Sequence, residues 1–258
     1  MKSGLKKILG LAVLLALAAC GGGSRHPYGL PEQFNDAKPW AWRGTVPAHY
    51  EIHGVDVSRY QGDVDWFRAA GSGVRFAFIK ATEGGDVADP QFAAHWYAAA
   101  QAGIPRGAYH FYYFCRTGAE QAAWFIQHAP RELGALPPVL DIEWTRSRNC
   151  PQRPDAETVR AEAAAFLAIV QAYYGRTPII YTTVDFWEQN EMWRLQGYEF
   201  WLRSVAGHPR DTYGGHHWSF WQYTGTGLAP GFRGQVDLNA FAGTEADWQA
   251  WLAARVQQ

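Results

Sequence analysis

Strong charge of either sign is missing from this sequence. Its 258 residues hold 23 Lys and Arg against 24 Asp and Glu, a formal net charge of −1. Proteins that bind nucleic acid usually carry a basic balance and a basic patch. The near-neutral composition lacks that signature, and we therefore predict no nucleic-acid partner.

Cysteine is also scarce, with three residues, and neither a CxxC nor an HxH spacing occurs. The chain thus lacks the usual sequence patterns of a zinc site, and we predict no metal and no cofactor. His208, His216 and His217 cluster in a Gly-rich loop, but no carboxylate spacing there supports a metal site. We expect them to be exposed at a rim.

Hydrophobic residues, by contrast, are plentiful at 48%, which excludes a disordered chain and allows a sizeable core. Aromatic residues reach 16%, including 13 Trp. This richness predicts flat apolar faces that line a groove. Such faces suit sugar rings, and the balanced charge favours sugars over nucleic-acid bases.

The first nineteen residues are typical of a secretory signal peptide. Three lysines precede an apolar stretch over residues 8–19 that is too short to span a bilayer comfortably. Residues 17–20 read Leu-Ala-Ala-Cys and resemble the bacterial lipobox. The resemblance implies cleavage before Cys20 and lipidation of that residue. An ordinary signal peptide that happens to end in Cys is the alternative.

Residues 20–50 are Gly- and Pro-rich without a clear period, which predicts the lipidated Cys, a tether and then a segment on the surface of the domain. Thirty extended residues reach roughly 100 Å. We expect a lipid-anchored protein of the bacterial cell envelope whose partner is the membrane. Gly21, rather than an Asp, follows Cys20, which favours the outer membrane, facing the periplasm, over the inner membrane.

Two cysteines remain once Cys20 is lipidated. Cys115 and Cys150 each follow a predicted strand shortly after its end. The compartment beyond the inner membrane is oxidising, so we predict a Cys115–Cys150 disulfide. Two free thiols are the alternative.

Short β-rich runs alternate with helical stretches from residue 52 onward. Helices are predicted over residues 89–103 and 155–174. A further helix is predicted to begin at the capping box formed by Thr117 and Glu120. Repeated strand–helix units imply parallel strands with right-handed crossovers. Eight runs predict an α/β fold, an irregular (β/α)8-type (TIM-like) barrel over 51–258, with few helices in its last part. The runs lie at 52–57, 75–80, 107–112, 138–143, 178–182, 199–204, 218–223 and 235–239.

Asp141 and Glu143 are the most informative residues, because they follow an apolar strand. Their side chains point the same way, with Cα atoms roughly 6.6 Å apart. Two such carboxyls raise each other's proton affinity, so one stays protonated for acid catalysis at a glycosidic oxygen. Asp56 and Asp237 end the first and last strands, which are neighbours in a closed barrel. We expect all four at one mouth, and structural ion pairs are the alternative.

Seven short motifs follow one another along about residues 52–241. They are Gly54-Val-Asp56-Val-Ser58, Phe78-Ile-Lys80-Ala-Thr-Glu83-Gly84, Gly107-Ala-Tyr109-His110-Phe111, Asp141-Ile-Glu143, Ile180-Tyr181-Thr182, Trp221-Gln222-Tyr223-Thr224 and Val236-Asp237-Leu-Asn239. In this order they resemble the successive strand motifs of family 25 glycoside hydrolases, the lysozymes of the Chalaropsis type.

The resemblance implies a muramidase that cleaves the β-1,4 bond between N-acetylmuramic acid and N-acetylglucosamine in peptidoglycan, with retention. It implies that Glu143 is general acid and then general base. Asp141 would stabilise developing positive charge or orient the substrate N-acetyl group. Asp56 and Asp237 would tune that pair and hold the substrate. A covalent and a substrate-assisted intermediate both remain open.

Four aromatic residues are candidates for substrate binding. Tyr109 and Tyr181 follow the family's strand-end pattern, and we expect their hydroxyls to bond sugar hydroxyls or the acetamide; core tyrosines are the alternative. Trp201 and Trp221 either stack on sugar or fill the barrel.

Lys80 and Glu83 are expected to form a structural ion pair near the rim.

Two other functions stay open: a non-catalytic peptidoglycan-binding lipoprotein, and an endoglycosidase on another N-acetylated glycan. The Asp141/Glu143 pair argues against a pure binder. The absence of the longer acidic strand motif of chitinases argues against the endoglycosidase.

Overall fold

The computed structural model describes residues 28–145 and 147–256, and within them ten strands, seven α-helices and three short 3-10 helices at Pro47–His49, Arg59–Gln61 and Met192–Arg194. The strands are β1 Asn35–Asp36, β2 His53–Val57, β3 Val74–Glu83, β4 Val87–Ala88, β5 Arg106–Phe111, β6 Val139–Asp141, β7 Ile179–Thr183, β8 Glu199–Arg203, β9 Phe220–Leu228 and β10 Val236–Phe241. The helices are α1 Trp66–Gly71, α2 Phe92–Gln101, α3 Gly118–His128, α4 Ala156–Tyr174, α5 Val184–Gln189, α6 Pro209–Thr212 and α7 Glu245–Val256.

Eight of these strands close into a barrel in the order β2-β3-β5-β6-β7-β8-β9-β10, with β10 returning to β2. The predicted barrel is therefore confirmed. Neighbours from β2 through β9 are parallel, whereas β10 runs antiparallel to both β9 and β2. The connection over 229–235 explains the reversal, because a parallel crossover needs a dozen or more residues.

Helices are concentrated in the first half of the barrel, as predicted. Thr117 caps α3 in a capping box with Glu120, and Asp155 caps α4 through the Thr158 N–H. Gly175 ends α4 in the left-handed conformation at φ 67°, which glycine adopts without steric cost. After β7 only the short α5 and α6 precede the last strands, because the connecting segments have no room for longer helices.

Aromatic side chains fill the end of the barrel away from the strands' carboxyl ends. Phe76, Phe78 and Phe220 are fully buried inside the barrel, with ring centroids 5.1–5.8 Å apart. Trp248 of the C-terminal helix α7 packs on Phe76 and Phe241 from below. Among the described residues, this packed core closes one end of the barrel and leaves the opposite end open.

Residues 28–50, the later part of the stretch predicted as a tether and a surface segment, pack against the barrel. Leu30 and Phe34 are 1% and 2% exposed, and β1 pairs with the end of β9. Trp42 packs edge-on against Trp221 at 5.1 Å. Apolar residues between positions 28 and 50 thus cover the barrel wall, and residues 20–27 of the predicted tether lie outside the described residues.

The structure joins Cys115 and Cys150 in a disulfide with Cα atoms 5.4 Å apart. Cys115 follows β5 and Cys150 follows β6, so the bond ties two loops beyond the carboxyl ends of neighbouring strands. The predicted signal peptide and Cys20 lie outside the described residues. Within the described ranges, no helix combines the length and apolar character needed to cross a membrane.

Candidate active site

An open cleft of about 440 Å³ lies at the carboxyl ends of the parallel strands. Its lining includes all four predicted carboxylates. Asp141 is the last residue of β6, and Glu143 follows two residues later. The intervening Ile142 is fully buried and donates its N–H to the Tyr181 carbonyl at 3.0 Å. The chain thus stays extended, so Asp141 and Glu143 face the cleft together.

Asp56 and Asp237 lie directly opposite each other on β2 and β10. The prediction that Asp237 ends its strand is corrected, because it is the second residue of β10. Antiparallel pairing brings the beginning of β10 beside the end of β2. The two carboxyls therefore meet at the mouth through a reversed strand.

A hydrogen-bonded network fixes Asp56 from the barrel interior. Its Oδ2 accepts from Gln222 Nε2 at 2.9 Å and from Asn239 Nδ2 at 2.8 Å. The Tyr181 hydroxyl donates to Gln222 Oε1 at 2.9 Å, and Trp201 Nε1 donates to Asn239 Oδ1 at 2.8 Å. These donors set the orientation of both amides, so that their NH₂ groups point at Asp56.

Burial raises the pKa of Glu143 to about 7, and the negative charges of Asp185 and Asp56 act in the same direction. The positive charge of Arg203 opposes that rise in pKa. Burial also raises the pKa of Asp141 well above its usual value, with the charge of Glu143 as the next cause. The cleft therefore holds a carboxylic acid that is still partly protonated at neutral pH.

The second carboxyl pair has raised pKa values as well. Burial raises the pKa of Asp56, although hydrogen bonds from Asn239 and Gln222 stabilise its ionised form. Burial raises the pKa of Asp237 further, and the charge of Asp56 adds to it. When two carboxyls lie side by side, the state in which one of them carries a proton is favoured over the state in which both are ionised.

The two predicted tyrosines both line the cleft. Burial raises the pKa of Tyr109 and of Tyr181 well above the usual value, which keeps both hydroxyls protonated as donors. The Tyr181 hydroxyl already donates to Gln222. Trp201 lies beneath them, 2% exposed and stacked on Phe78 at 4.5 Å. Trp201 forms part of the cleft floor and supports the amide network.

Trp221 does not reach the cleft, and its predicted contact with substrate is corrected. It is fully buried on the outer side of the barrel, where Nε1 donates to the Ser204 carbonyl at 2.7 Å. Its ring packs against Tyr50 and Tyr223. Successive strand residues face opposite sides, so Gln222 points inward and Trp221 outward.

Sequence reasoning assigned no role to Gln222 and Arg203, which line the cleft, or to the fully buried Asn239, which binds Asp56. Gln222 and Asn239 stand in quoted motifs, and Asn239 lies two residues after Asp237 on the same strand face. Strand alternation applied to these motifs identifies both. Arg203 follows Trp201 by two residues and lines the cleft, but no sequence pattern marked it.

The rim carries the expected Lys80–Glu83 ion pair, with Lys80 Nζ 4.7 Å from the centre of the Phe111 ring.

The histidines of the Gly-rich loop do not line the cleft. His208 accepts or donates a 2.7 Å hydrogen bond with the Tyr50 hydroxyl, and His216 packs on Trp187 at 4.8 Å. In residues 28–145 and 147–256, no group of three or more His, Cys, Asp or Glu side chains is arranged so that it could hold a metal ion.

Comparison with known proteins agrees with this geometry. The model of the glycosyl hydrolases family 25 matches residues 55–232. Lysozyme M1 of Streptomyces globisporus is 36% identical over 76% of this chain and 69% of its own. An uncharacterised protein of Escherichia coli (strain K12), YegX, is 35% identical over 88% of this chain and 80% of its own.

Solved structures show the same architecture. A family 25 glycosyl hydrolase from Bacillus anthracis superposes with a TM-score of 0.71 at 35% identity, covering 78% of this chain and 94% of its own. A bacterial lysozyme from Streptomyces coelicolor gives 0.70 at 34% identity, covering 79% and 97%. With its barrel and its ordered carboxylates, the chain belongs to the glycosyl hydrolases family 25.

Proposed function

We propose that this protein is a muramidase that cleaves the β-1,4 bond between N-acetylmuramic acid and N-acetylglucosamine in peptidoglycan. Relatives named as a lysozyme and as an N,O-diacetylmuramidase, both 36% identical over their matched regions, support this substrate class. The proposal rests on one observation: Glu143 has a pKa of about 7 and lies in the same cleft as Asp141. A buried carboxyl with that pKa is suited to proton transfer near neutral pH.

Glu143 is assigned the role of general acid. Its proton passes to the glycosidic oxygen as the C1–O bond breaks, and the carboxylate then removes a proton from the attacking water. Asp141 lies beside it and stabilises the positive charge that develops on the sugar or orients the N-acetyl group. Its position on the same strand edge puts both carboxyls on one side of the substrate.

Asp56 and Asp237 are assigned to holding the substrate and tuning the first pair. Gln222 and Asn239 restrain Asp56 through two hydrogen bonds, so its position is set before substrate arrives. Tyr109 adds a neutral donor to the cleft wall. We assign the reaction to the retaining class, and proton NMR of the anomer first released tests this assignment.

The decisive experiment is digestion of purified peptidoglycan by residues 21–258, with Glu143→Gln as the test variant. Glu188→Gln, an exposed carboxylate outside the cleft, is the matched control. New reducing ends are reduced with borohydride and identified. Reduced muramic acid that is made by the wild type and the control but not by Glu143→Gln supports the proposal.

Other outcomes select the alternatives. Reduced glucosamine in place of muramic acid leaves a glycosidase and overturns the bond assignment. Cleavage of chitin oligomers as fast as peptidoglycan selects an endoglycosidase of broader range. No new ends, while the protein still pellets with the wall, selects the non-catalytic binding lipoprotein.

We also propose that Cys20 carries a lipid anchor and that the enzyme is held at the outer membrane, facing the periplasm. The lipobox-like end of the signal sequence supports this localisation. An anchor eight residues before Tyr28 keeps the barrel within about 28 Å of its attachment. Metabolic labelling with a clickable fatty acid and membrane fractionation test the proposal. A label that persists in Cys20→Ala, or wild-type protein in the soluble fraction, overturns it.

A further inference from the structure

Arg203 is a charged residue of the cleft that the assignment above does not use. It is the last residue of β8 and lines the same cavity as the four carboxylates. The ion pairs of the described residues do not include it. Its guanidinium therefore lies more than 4 Å from every described carboxylate. It acts on several groups at once through its charge, rather than binding one of them.

The side chains of Arg203 and Asp237 both lie against the backbone of Gly225. A Cβ atom built on Gly225 would lie 3.1 Å from Asp237 Oδ1 and 3.8 Å from Arg203 Nη2. Both groups thus border the same small space, which exists because residue 225 has no side chain. Gly225 does not have a positive φ, so alanine is compatible with its backbone.

The position of Arg203 is fixed from outside the cleft. The Tyr213 hydroxyl donates to the Arg203 carbonyl at 2.6 Å, and the same hydroxyl reaches the Thr182 carbonyl at 3.3 Å. Arg203 also pairs with Thr183 and Gln222 across the neighbouring strands. A backbone held on three sides limits where the guanidinium can go.

We propose that Arg203 is a positioning residue that keeps one negative charge on the Asp56–Asp237 pair near neutral pH. The inference rests on the proposed function, because it concerns the carboxylates assigned there. Four carboxyls in one cleft, two of them buried and two half-buried, repel each other's charges and tend to take up protons. A fixed cation beside Asp237 offsets that tendency without removing the open space that a sugar needs.

Arg203 shifts the pKa values of the neighbouring carboxyls in one direction, downward. The charge of Arg203 lowers the pKa of Asp56, of Asp237 and of Glu143 against the raising effect of burial. The other titratable or charged groups that face Arg203 or these carboxyls are Asp141, Tyr181, Tyr213, Lys80, Asp185 and Tyr109. Lys80 is already paired with Glu83, and Arg59 is exposed with its guanidinium over the Tyr60 ring. Arg203 is therefore the cation placed to balance the Asp56–Asp237 side.

The test is the pH profile of kcat and of KM on a soluble peptidoglycan fragment. Arg203→Gln should move the whole kcat profile to higher pH by about one unit. Arg203→Lys keeps the charge and should retain a profile close to that of the wild type. Gly225→Ala places a methyl group against Asp237 and Arg203 and should move the profile in the same direction by a smaller amount. Arg194→Gln, on the surface beside Glu191, is the control.

Each outcome decides the inference. Arg203→Gln with lower kcat but an unmoved profile shows a structural role and overturns the proposal. A raised KM with an unmoved profile shows a substrate contact and also overturns it. Should Arg203→Gln fail to fold, Gly225→Ala decides, because a profile that coincides with the wild type refutes the proposal. Failure of the proposed function differs from all of these, since the wild type itself then releases no muramic acid ends.

Discussion

The pKa of Glu143 predicts the alkaline limit of activity. A general acid must carry its proton, and burial raises the pKa of this carboxyl from 4.5 to about 7. At pH 7 about half of the enzyme is then competent, and at pH 8 about one molecule in eleven. At the unperturbed pKa only about one molecule in 300 would be protonated at pH 7. The raised pKa thus increases the competent fraction on the order of 100-fold.

The assay is kcat/KM as a function of pH on a soluble peptidoglycan oligosaccharide, since this ratio reports the pKa values of the free enzyme. We expect a basic limb near pH 7 with a tenfold loss per pH unit above it. Glu143→Gln should lose about 100- to 10,000-fold in kcat and should lack that limb. Glu188→Gln should reproduce the wild-type curve, and its thermal stability across the pH range controls for unfolding.

Two results would refute this reasoning. A basic limb near pH 5 means that Glu143 keeps its usual pKa and that burial does not control it. Activity that continues undiminished to pH 9 means that another group supplies the proton. The first result would leave Glu143 as the proton donor with an ordinary pKa, and the second would require a donor other than Glu143.

Three further predictions follow from single contacts. Asp185→Asn removes a charge that raises the pKa of Glu143, so the basic limb of kcat/KM should move to lower pH by roughly half a unit; an unmoved or raised limb contradicts this. Replacing Cys115 and Cys150 by Ser opens a loop of 35 residues and should lower the free energy of unfolding by about 3–4 kcal/mol in urea titrations, and an unchanged midpoint would show that the bond does not form. Trp221→Phe leaves a buried carbonyl without its donor and should cost about 1–3 kcal/mol of stability with KM unchanged, whereas a raised KM at unchanged stability would return Trp221 to the cleft.

Much of the barrel was predictable because local patterns and tertiary packing agree. Residues 155–174 carry both a helical apolar stripe and end signals, and α4 occupies Ala156–Tyr174. The β-rich runs match all eight barrel strands, since strands buried on both faces appear as short apolar runs. The antiparallel direction of β10 was not predicted, because the run at 235–239 looks the same in either direction. The short connection before this run is the feature that predicts the reversal, because it is too short for a parallel crossover.

The site was predictable where chemistry and strand period coincide. Asp141 and Glu143 are two apart at a strand end, so their shared direction follows from the sequence alone. Trp221 was misplaced because a large aromatic residue suits both a sugar platform and a barrel wall, and only the register of β9 separates them. Arg203 was missed because a single arginine at a strand end has no distinctive pattern.

The sequence by itself determined that this chain is an α/β barrel with paired carboxylates at strand ends, because periodicity and residue spacing are local properties. Only the tertiary structure decided the rest. Closure of the barrel brings Asp237 beside Asp56, and burial together with neighbouring charges moves the pKa of Glu143 to about 7. The physical reason is that solvation and electrostatic energies depend on distances between residues far apart in the chain, which no local pattern encodes.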